Sequence, residues 1–317
     1  MAFFDPAKFT DDAVDSLKTE LTGKAIIAAS GGVDSTVAAV LAAKAVGDNL
    51  LAIYVDTGYM RLDESKFVSS MLEDLGVQHK VIDASERFYE GLKGVIDPEE
   101  KRKIIGELFI RVFEEESKKY GGNFLVQGTI APDWIESGGG IRDTIKSHHN
   151  VGGLPEDMEM ELCEPIRELY KDEVRSLAEY LKVSVAQRQP FPGPGLAVRV
   201  MGEATPKRTE IVRQACHIVE DELELAASEG KMELPWQYFA VILPVKTVGV
   251  QGDVRAYGNT IAVRAVQSYD AMTAQALEIP YPVLKKISER ITRELKSEVN
   301  RVVYDITDKP PGTIEWE

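Results

Sequence analysis

The sequence predicts an α/β domain built on a doubly wound parallel sheet, followed by a small α+β domain. Three observations lead to that expectation. Short apolar runs alternate with helical patterns through the first half of the chain, as in βαβ units. A glycine turn joins the first apolar run to an alanine-rich helix. A rigid breaker, Phe191-Pro192-Gly193-Pro194-Gly195, then interrupts the chain, and the pattern beyond it changes. The boundary drawn there gives domains of residues 1–196 and 197–317, and a chain of 317 residues suits two domains.

Each element follows from local pattern. Residues 25–29 are a continuous apolar run, read as a buried strand. Residues 35–46 place Val37, Val40, Leu41 and Ala45 on one helical face. Residues 50–55 form the second strand. Residues 63–75 are helical and stop at Gly76, a glycine C-cap. Residues 80–82 and 123–127 are the third and fourth strands, with a long helical stretch, 98–119, between them. Residues 129–156 differ: they hold Gly138-Gly139-Gly140 and Gly152-Gly153 with little apolar periodicity. A loop of that length in a compact domain is either functional or without fixed structure. Helix resumes at 172–181. In the second domain, residues 206–227 carry Ile211, Val212, Ala215, Ile218, Val219 and Leu223 on one side. Strands are expected at 238–243, 260–266 and 301–306. A helix at 282–295 has Val283, Leu284, Ile287, Ile291 and Leu295 in register.

Composition narrows the class. Apolar residues make up 44%, enough for sizeable cores. No apolar run approaches the ~18 residues of a membrane span. The opening Met1-Ala2-Phe3-Phe4-Asp5-Pro6 lacks the basic and apolar regions of a secretory signal. Cys163 and Cys216 are too few for a disulfide framework, and no Cys/His spacing suggests zinc, so a cytoplasmic protein with reduced thiols is expected. A net charge of −15 argues against nucleic acid as a partner, though a basic cleft for a small anion is compatible with it.

The strongest chemical signal is Ser30-Gly31-Gly32-Val33-Asp34-Ser35-Thr36, between the first strand and its helix. Two glycines let the backbone fold close to an anion. The N–H groups and positive dipole end of the following helix face the same point. Ser30, Ser35 and Thr36 add hydroxyls. The competing reading is an ordinary helix start capped by Asp34 or Ser35. No lysine follows the glycines, so this is not the P-loop of the G-x-x-x-x-G-K-[ST] kind. Val55-Asp56-Thr57-Gly58 follows the second strand and falls in the crevice where a doubly wound sheet binds ligands.

The S-G-G-x-D-S form resembles the phosphate loop of ATP-pyrophosphatases, with an adenine-nucleotide alpha-hydrolase-like fold. Further segments resemble the GMP synthetase family in particular, in the same order along the chain. They are Gly58-Tyr59-Met60-Arg61, Pro132-Asp133-Trp134-Ile135-Glu136-Ser137, and Ile145-Lys146-Ser147-His148-His149-Asn150 with Val151-Gly152-Gly153-Leu154-Pro155. The stretch from Gln189 through the breaker to Arg199, Val248-Gly249-Val250-Gln251-Gly252-Asp253, Arg301-Val302-Val303-Tyr304-Asp305, and the terminal Asp308-Lys309-Pro310-Pro311-Gly312-Thr313-Ile314-Glu315-Trp316-Glu317 complete the likeness.

The resemblance implies an enzyme that adenylates XMP with ATP and lets ammonia displace AMP. Ser30 to Thr36 would bind ATP, with Asp56 near its adenosine. Asp34 would be a catalytic carboxylate and the Mg²⁺ ligand, with Asp133 and Glu136 next. Lys146 would be the cation for the departing phosphates. Arg61, Arg301 and Lys309 would meet the XMP phosphate, and Gln251, Thr313, Ile314 and Glu315 its base or ribose. The C-terminal domain would form a homodimer. Neither cysteine sits in a glycine-flanked nucleophile turn, so ammonia is expected from a separate glutamine amidotransferase subunit. Rival readings are another ligase with this loop, such as NAD synthetase or a tRNA-thiolating enzyme, or a non-catalytic adenine-nucleotide sensor.

Overall fold

The computed structural model describes residues 4–132, 160–185, 188–251, 253–269 and 271–317, with only the backbone at Gln251. Strands β1 (Ala25–Ala28), β2 (Leu50–Asp56), β3 (His79–Asp83), β4 (Phe124–Val126) and β5 (Glu161–Cys163) form one sheet in the order β3-β2-β1-β4-β5. Every neighbouring pair is parallel, with Ala25 opposite both Leu50 and Phe124. The chain steps from β1 outward to β2 and β3, then returns to the other side of β1 to lay down β4. The strand order therefore reverses between β1 and β4, which opens a crevice at the carboxyl ends of those strands.

Apolar strands buried on both faces drive this arrangement. Ile26, Ile27, Ala52, Ile53 and Val55 are all buried, and burying each larger aliphatic side chain contributes about 1.5–3 kcal/mol. Helix α1 (Pro6–Glu20) starts at Asp5, whose carboxylate accepts from the N–H groups of Ala7 and Lys8 at 3.0 and 3.1 Å. Helix α2 (Val33–Val46) is buried from Thr36 to Ala42 without a break, because small alanines let neighbouring elements close on it from several sides. Helices α3 (Glu64–Asp74), α4 (Ser85–Gly91), α5 (Pro98–Tyr120) and α6 (Lys171–Tyr180) also belong to this part. Sequence patterns did not reveal α1 or α4 and gave no bounds for β5. Helix α1 is largely polar, and β5 spans three residues, too few to show a period.

The second sheet has four strands. Strands β6 (Gln237–Gln251) and β7 (Val254–Gln267) form a long antiparallel hairpin, and β8 (Gln275–Ala276) and β9 (Val299–Asp305) share the other edge of β7. Helices α7 (Pro206–Ser228) and α8 (Tyr281–Glu294) pack together, α7 also on β6 and α8 also on β9. The predicted apolar face of α7 is buried. The hairpin is longer than its expected strands. A register shift between Ile242 and Lys246 accommodates Pro244, which lacks a donor for the ladder. Beyond it the exposed Val245, Val248 and Val250 do not read as core.

Internal contacts divide the chain into two units: Met1–Thr57 with Asp63–Arg87 and Gly106–Arg188, and Gly58–Leu62 with Phe88–Ile105 and Gln189–Glu317. A boundary drawn from the breaker alone does not assign Gly58–Leu62 to the second unit. Within that unit Arg213 donates to the Met60 carbonyl at 2.9 Å, and the buried Tyr59 donates its hydroxyl to the Ala204 carbonyl at 2.9 Å. The Leu196 N–H donates to the Tyr59 carbonyl at 2.6 Å. Gly195, at φ +64°, makes that approach possible: a Cβ there would lie 2.3 Å from the same oxygen.

Candidate functional site

In the first unit the turn after β1 has a defined shape. Gly31 sits at φ +75°, and an added Cβ would meet Val68 Cγ2 at 2.9 Å. Gly32 is the N-cap of α2 in an extended conformation, and among the described residues no side-chain hydrogen bond caps the helix. Asp34 and Ser35 are therefore not capping residues; they lie in the first turn. The hydroxyls of Ser30 and Ser35 are 2.9 Å apart, and Ser30 Oγ accepts from the Gly32 N–H at 3.3 Å. Thr36 donates its hydroxyl to the Gly32 carbonyl at 2.7 Å and is buried, so it shapes the turn from beneath. Ser30 and Gly32 are exposed, and Val33, Asp34 and Ser35 half-buried. The result is an uncapped helix N-terminus beneath a hydroxyl pair, open to an anion.

Neighbouring strands build the walls. Gly128, just after β4, rests on the first turn of α2: a Cβ there would lie 2.7 Å from the Asp34 carbonyl carbon and 2.8 Å from the Ser35 nitrogen. Thr129 beside it is buried, and its hydroxyl has no partner among the described residues. On the β2 side, Ser65 donates to Asp56 Oδ2 in a short hydrogen bond. Glu64, in the first turn of α3, is buried against the loop, with Oε1 3.3 Å from the position a Gly31 Cβ would take. Arg188 meets it with two parallel hydrogen bonds of 2.7 and 2.6 Å and lies over the Phe67 ring at 4.5 Å.

Among the described residues no group of three or more His, Cys, Asp or Glu forms a metal cage. The one carboxylate in the first turn of α2, Asp34, fits an ion that takes most of its oxygens from phosphate and water, as Mg²⁺ does. Asp133, Glu136 and Lys146 lie outside the described residues.

In the second unit several sequence motifs converge. Arg61 donates to the carbonyls of Gln189 and Pro190 at 3.1 and 3.4 Å, stacks on Phe191 at 4.3 Å and pairs with Glu220 at 3.6 Å. The terminal segment is held by buried cations. Arg199 donates to both oxygens of Glu315, at 2.8 and 3.1 Å, and Gln237 donates to the same carboxylate at 2.8 Å. Arg264 donates to the carbonyls of Thr307, Thr313 and Ile314 at 2.5, 2.8 and 3.3 Å and pairs with Asp305 at 3.0 Å. Lys101 pairs with Glu317, which also accepts from the Gly202 N–H at 3.1 Å. Burial pushes the Lys101 ammonium below its ordinary range, and Glu317 opposes that shift. Thr313 donates its hydroxyl to the Glu315 carbonyl. The Gly312 N–H closes a turn onto the Asp308 carbonyl at 2.9 Å around Pro310 and Pro311.

Lys309 donates to the Ala271 carbonyl at 2.8 Å, and Arg301 is exposed on β9. Gln251 ends β6 opposite Val254, and its side chain lies outside the described residues. Glu315, expected to meet a ligand, is thus also the counter-ion of Arg199. Sequence reasoning missed the roles of Gly128, Glu64, Arg188, Arg199, Arg264 and Lys101. A glycine directly after a strand beside β1, and an arginine inside the apolar run Leu196-Ala197-Val198-Arg199-Val200, were the available signals. Both cysteines are free and buried, and burial pushes the Cys163 thiol up to about 12, far from an activated nucleophile.

A parallel sheet whose reversal point carries an uncapped glycine turn and a helix N-terminus defines the first unit as a nucleotide-phosphate-binding α/β domain. A family model described as NAD synthase matches residues 7–108, and one described as GMP synthase C terminal domain matches residues 224–316. The B subunit of the glutamine-hydrolyzing GMP synthase of Thermococcus kodakarensis is 58% identical, over 98% of this chain and 99% of that one. The B subunits of the Pyrococcus horikoshii and Thermoplasma acidophilum enzymes are 57% and 53% identical, over 99% and 97% of this chain and 100% and 99% of theirs. The chain belongs to the family of GMP synthase B subunits.

Proposed function

We propose that this chain is the synthetase half of a two-subunit GMP synthase. It transfers the adenylyl group of ATP to the carbon-2 oxygen of XMP and releases pyrophosphate; ammonia then displaces AMP to give GMP. The observation that carries this is the uncapped Ser30–Ser35 turn on α2, in a chain alike to GMP synthase B subunits along nearly its whole length. Adenylyl transfer depends mainly on holding the phosphates in line and neutralising charge that builds on the leaving group.

In this reading the N–H groups of Gly32 to Ser35 and the Ser30 and Ser35 hydroxyls hold the β- and γ-phosphates. Asp34 holds Mg²⁺, which when bound neutralises phosphate charge. Asp56 lies toward the adenosine. Asp133 and Glu136 add carboxylates, and Lys146 a cation for the departing pyrophosphate. Arg301, Lys309, Gln251, Thr313, Ile314 and Glu315 surround XMP, with Arg61 backing that wall. Arg61 already holds two carbonyls and pairs with Glu220, so a phosphate contact would compete with those partners. The buried cations fix the tail, which favours a preformed wall over a segment ordered on binding.

Ammonia comes from a separate glutamine amidotransferase subunit, because the buried, raised Cys163 thiol cannot serve as a glutaminase nucleophile. The chain pairs with a second copy through its C-terminal domain and works in the cytoplasm. Among the described residues no helix is long and apolar enough to cross a membrane. The test is formation of GMP and pyrophosphate by the isolated chain with XMP, ATP and Mg²⁺. Ammonium should support the reaction and glutamine should not. Glutamine-dependent turnover by the chain alone, or none with ammonium, rejects the reading.

A further inference from the structure

The glycine turn lacks the lysine that phosphate loops of the other kind carry, and a triphosphate brings about four negative charges. Helix-end dipoles offset only about half a charge. Among the described residues of the first unit, the ion pair of Arg188 and Glu64 lies against the turn itself. Glu64 Oε1 is 3.3 Å from where a Gly31 Cβ would be, and Arg188 Nη1 is 2.7 Å from that same oxygen. The two partners are buried unequally: 3% of the Glu64 side chain is exposed, but 28% of Arg188. The carboxylate is the hidden member and the guanidinium the accessible one.

A guanidinium has five N–H donors, and Glu64 takes two of them. Among the described residues the other three have no partner, and two of them, on Nε and the nearer Nη, form a planar fork suited to phosphate oxygens. Phe67, stacked at 4.5 Å, fixes the plane of the fork, so little side-chain freedom is left to lose on binding. Glu64 is itself held at the N-terminus of α3, where the helix dipole favours its charge.

We propose that Arg188 is a phosphate-binding residue of the glycine turn, with Glu64 and Phe67 as its positioning residues. The proposal rests on the nucleotide reading above and adds a cation to it. In this role Arg188 does two things. It cancels the buried Glu64 charge, which would otherwise repel an anion. It also presents its remaining donors to the outer phosphates, the pair that leaves as pyrophosphate.

The test is calorimetric titration of inorganic pyrophosphate with Mg²⁺, and separately of XMP, into the full-length chain. The proteins are wild type, Arg188→Gln, Arg188→Lys and the double variant Glu64→Gln/Arg188→Gln. Arg188→Gln should weaken pyrophosphate about tenfold or more, the effect of losing one charge-assisted contact, and leave XMP within about twofold. Arg188→Lys keeps a charge but not the fork, so it should weaken pyrophosphate several-fold. Removing the Glu64 charge in the double variant should restore affinity only in part, because the phosphate contact itself stays lost. Full restoration there would overturn the proposal, because Arg188 would act only by neutralising Glu64. An equal loss of both ligands would overturn it too, by showing a general effect on the fold. If Arg188→Gln does not fold, a folded Arg188→Lys with wild-type pyrophosphate affinity overturns the proposal instead. Wild-type GMP formation tests the function independently, so the two ideas can fail separately.

Discussion

Replacing Glu315 by alanine should destabilise the second unit by about 3 kcal/mol. The carboxylate accepts from Arg199 Nη2 at 2.8 Å, from Arg199 Nε at 3.1 Å and from Gln237 at 2.8 Å. Arg199 is fully buried, stacked 4.2 Å from the Phe239 ring and 5.2 Å from the Phe191 ring. Burial alone disfavours its cation, but Glu315 beside it more than offsets this and holds the guanidinium above its ordinary range. Glu315→Ala leaves that charge buried without its counter-ion. Removing one member of a buried pair costs about 3–5 kcal/mol. The Glu315 side chain keeps 18% of its surface exposed, so water can partly replace it and the low end applies. With a urea slope of about 1–3 kcal/mol/M, the midpoint should fall by about 1–3 M. Fluorescence of Trp236 and Trp316 reports on this unit. An Arg199→Met/Glu315→Leu double variant should recover much of the loss, since an apolar pair of similar volume carries no desolvation penalty. A single-variant shift below about 0.3 M, or a double variant no better than the single, would refute the reasoning.

Four shorter predictions follow from other parts of the molecule. Asp34→Ala should abolish pyrophosphate release in a folded protein; a loss smaller than about threefold, under the ~1.4 kcal/mol that tenfold represents, would remove its metal role. Gly128→Ala should cut activity and lower the melting temperature, because its Cβ would press on the Asp34 and Ser35 backbone, and overpacking of this kind costs about 1–3 kcal/mol. Glu116 is held below the usual carboxylate range by hydrogen bonds from Lys119 and Lys80, both 2.6 Å. Its contribution is therefore complete above the unfolded value of about pH 4.3 and is lost as pH falls through the lower folded one. Melting curves of Glu116→Gln should show a flatter acid limb than wild type. Light scattering of the full-length chain at micromolar concentration should give a dimer, and a clean monomer would count against pairing through the C-terminal domain.

The tail illustrates how structure changes an expectation drawn from sequence. The Pro310-Pro311-Gly312 run implies a shaped turn, and the Gly312 N–H does close one onto Asp308. The resemblance also places Lys309, Thr313, Ile314 and Glu315 against XMP, which treats the tail as a ligand wall alone. The structure makes Glu315 and Glu317 the partners of buried Arg199 and Lys101. Deleting the tail would strand both cations, so it should destabilise the whole second unit as well as weaken a ligand. A one-residue change such as Lys309→Ala separates the two effects better.

What the sequence determined is local. The run Ala-Ile-Ile-Ala, the two glycines and the alanine-rich helix lie within about twenty residues of one another. Their shapes follow from backbone preference and burial, so the strand–turn–helix unit and its glycine turn were legible. The order of later motifs identified the family, and the apolar faces of α7 and α8 predicted what they bury. What only the tertiary structure decided involves partners far apart in the chain. Arg188 and Glu64 are separated by 124 positions, and Arg199 and Glu315 by 116. Gly128 gains its meaning from touching the backbone at Asp34, across the point where β4 comes to lie beside β1. Hydrophobic period says which face of an element is buried. It does not say which charge meets which once those faces close, because a specific ion pair is selected only when packing excludes water from around it.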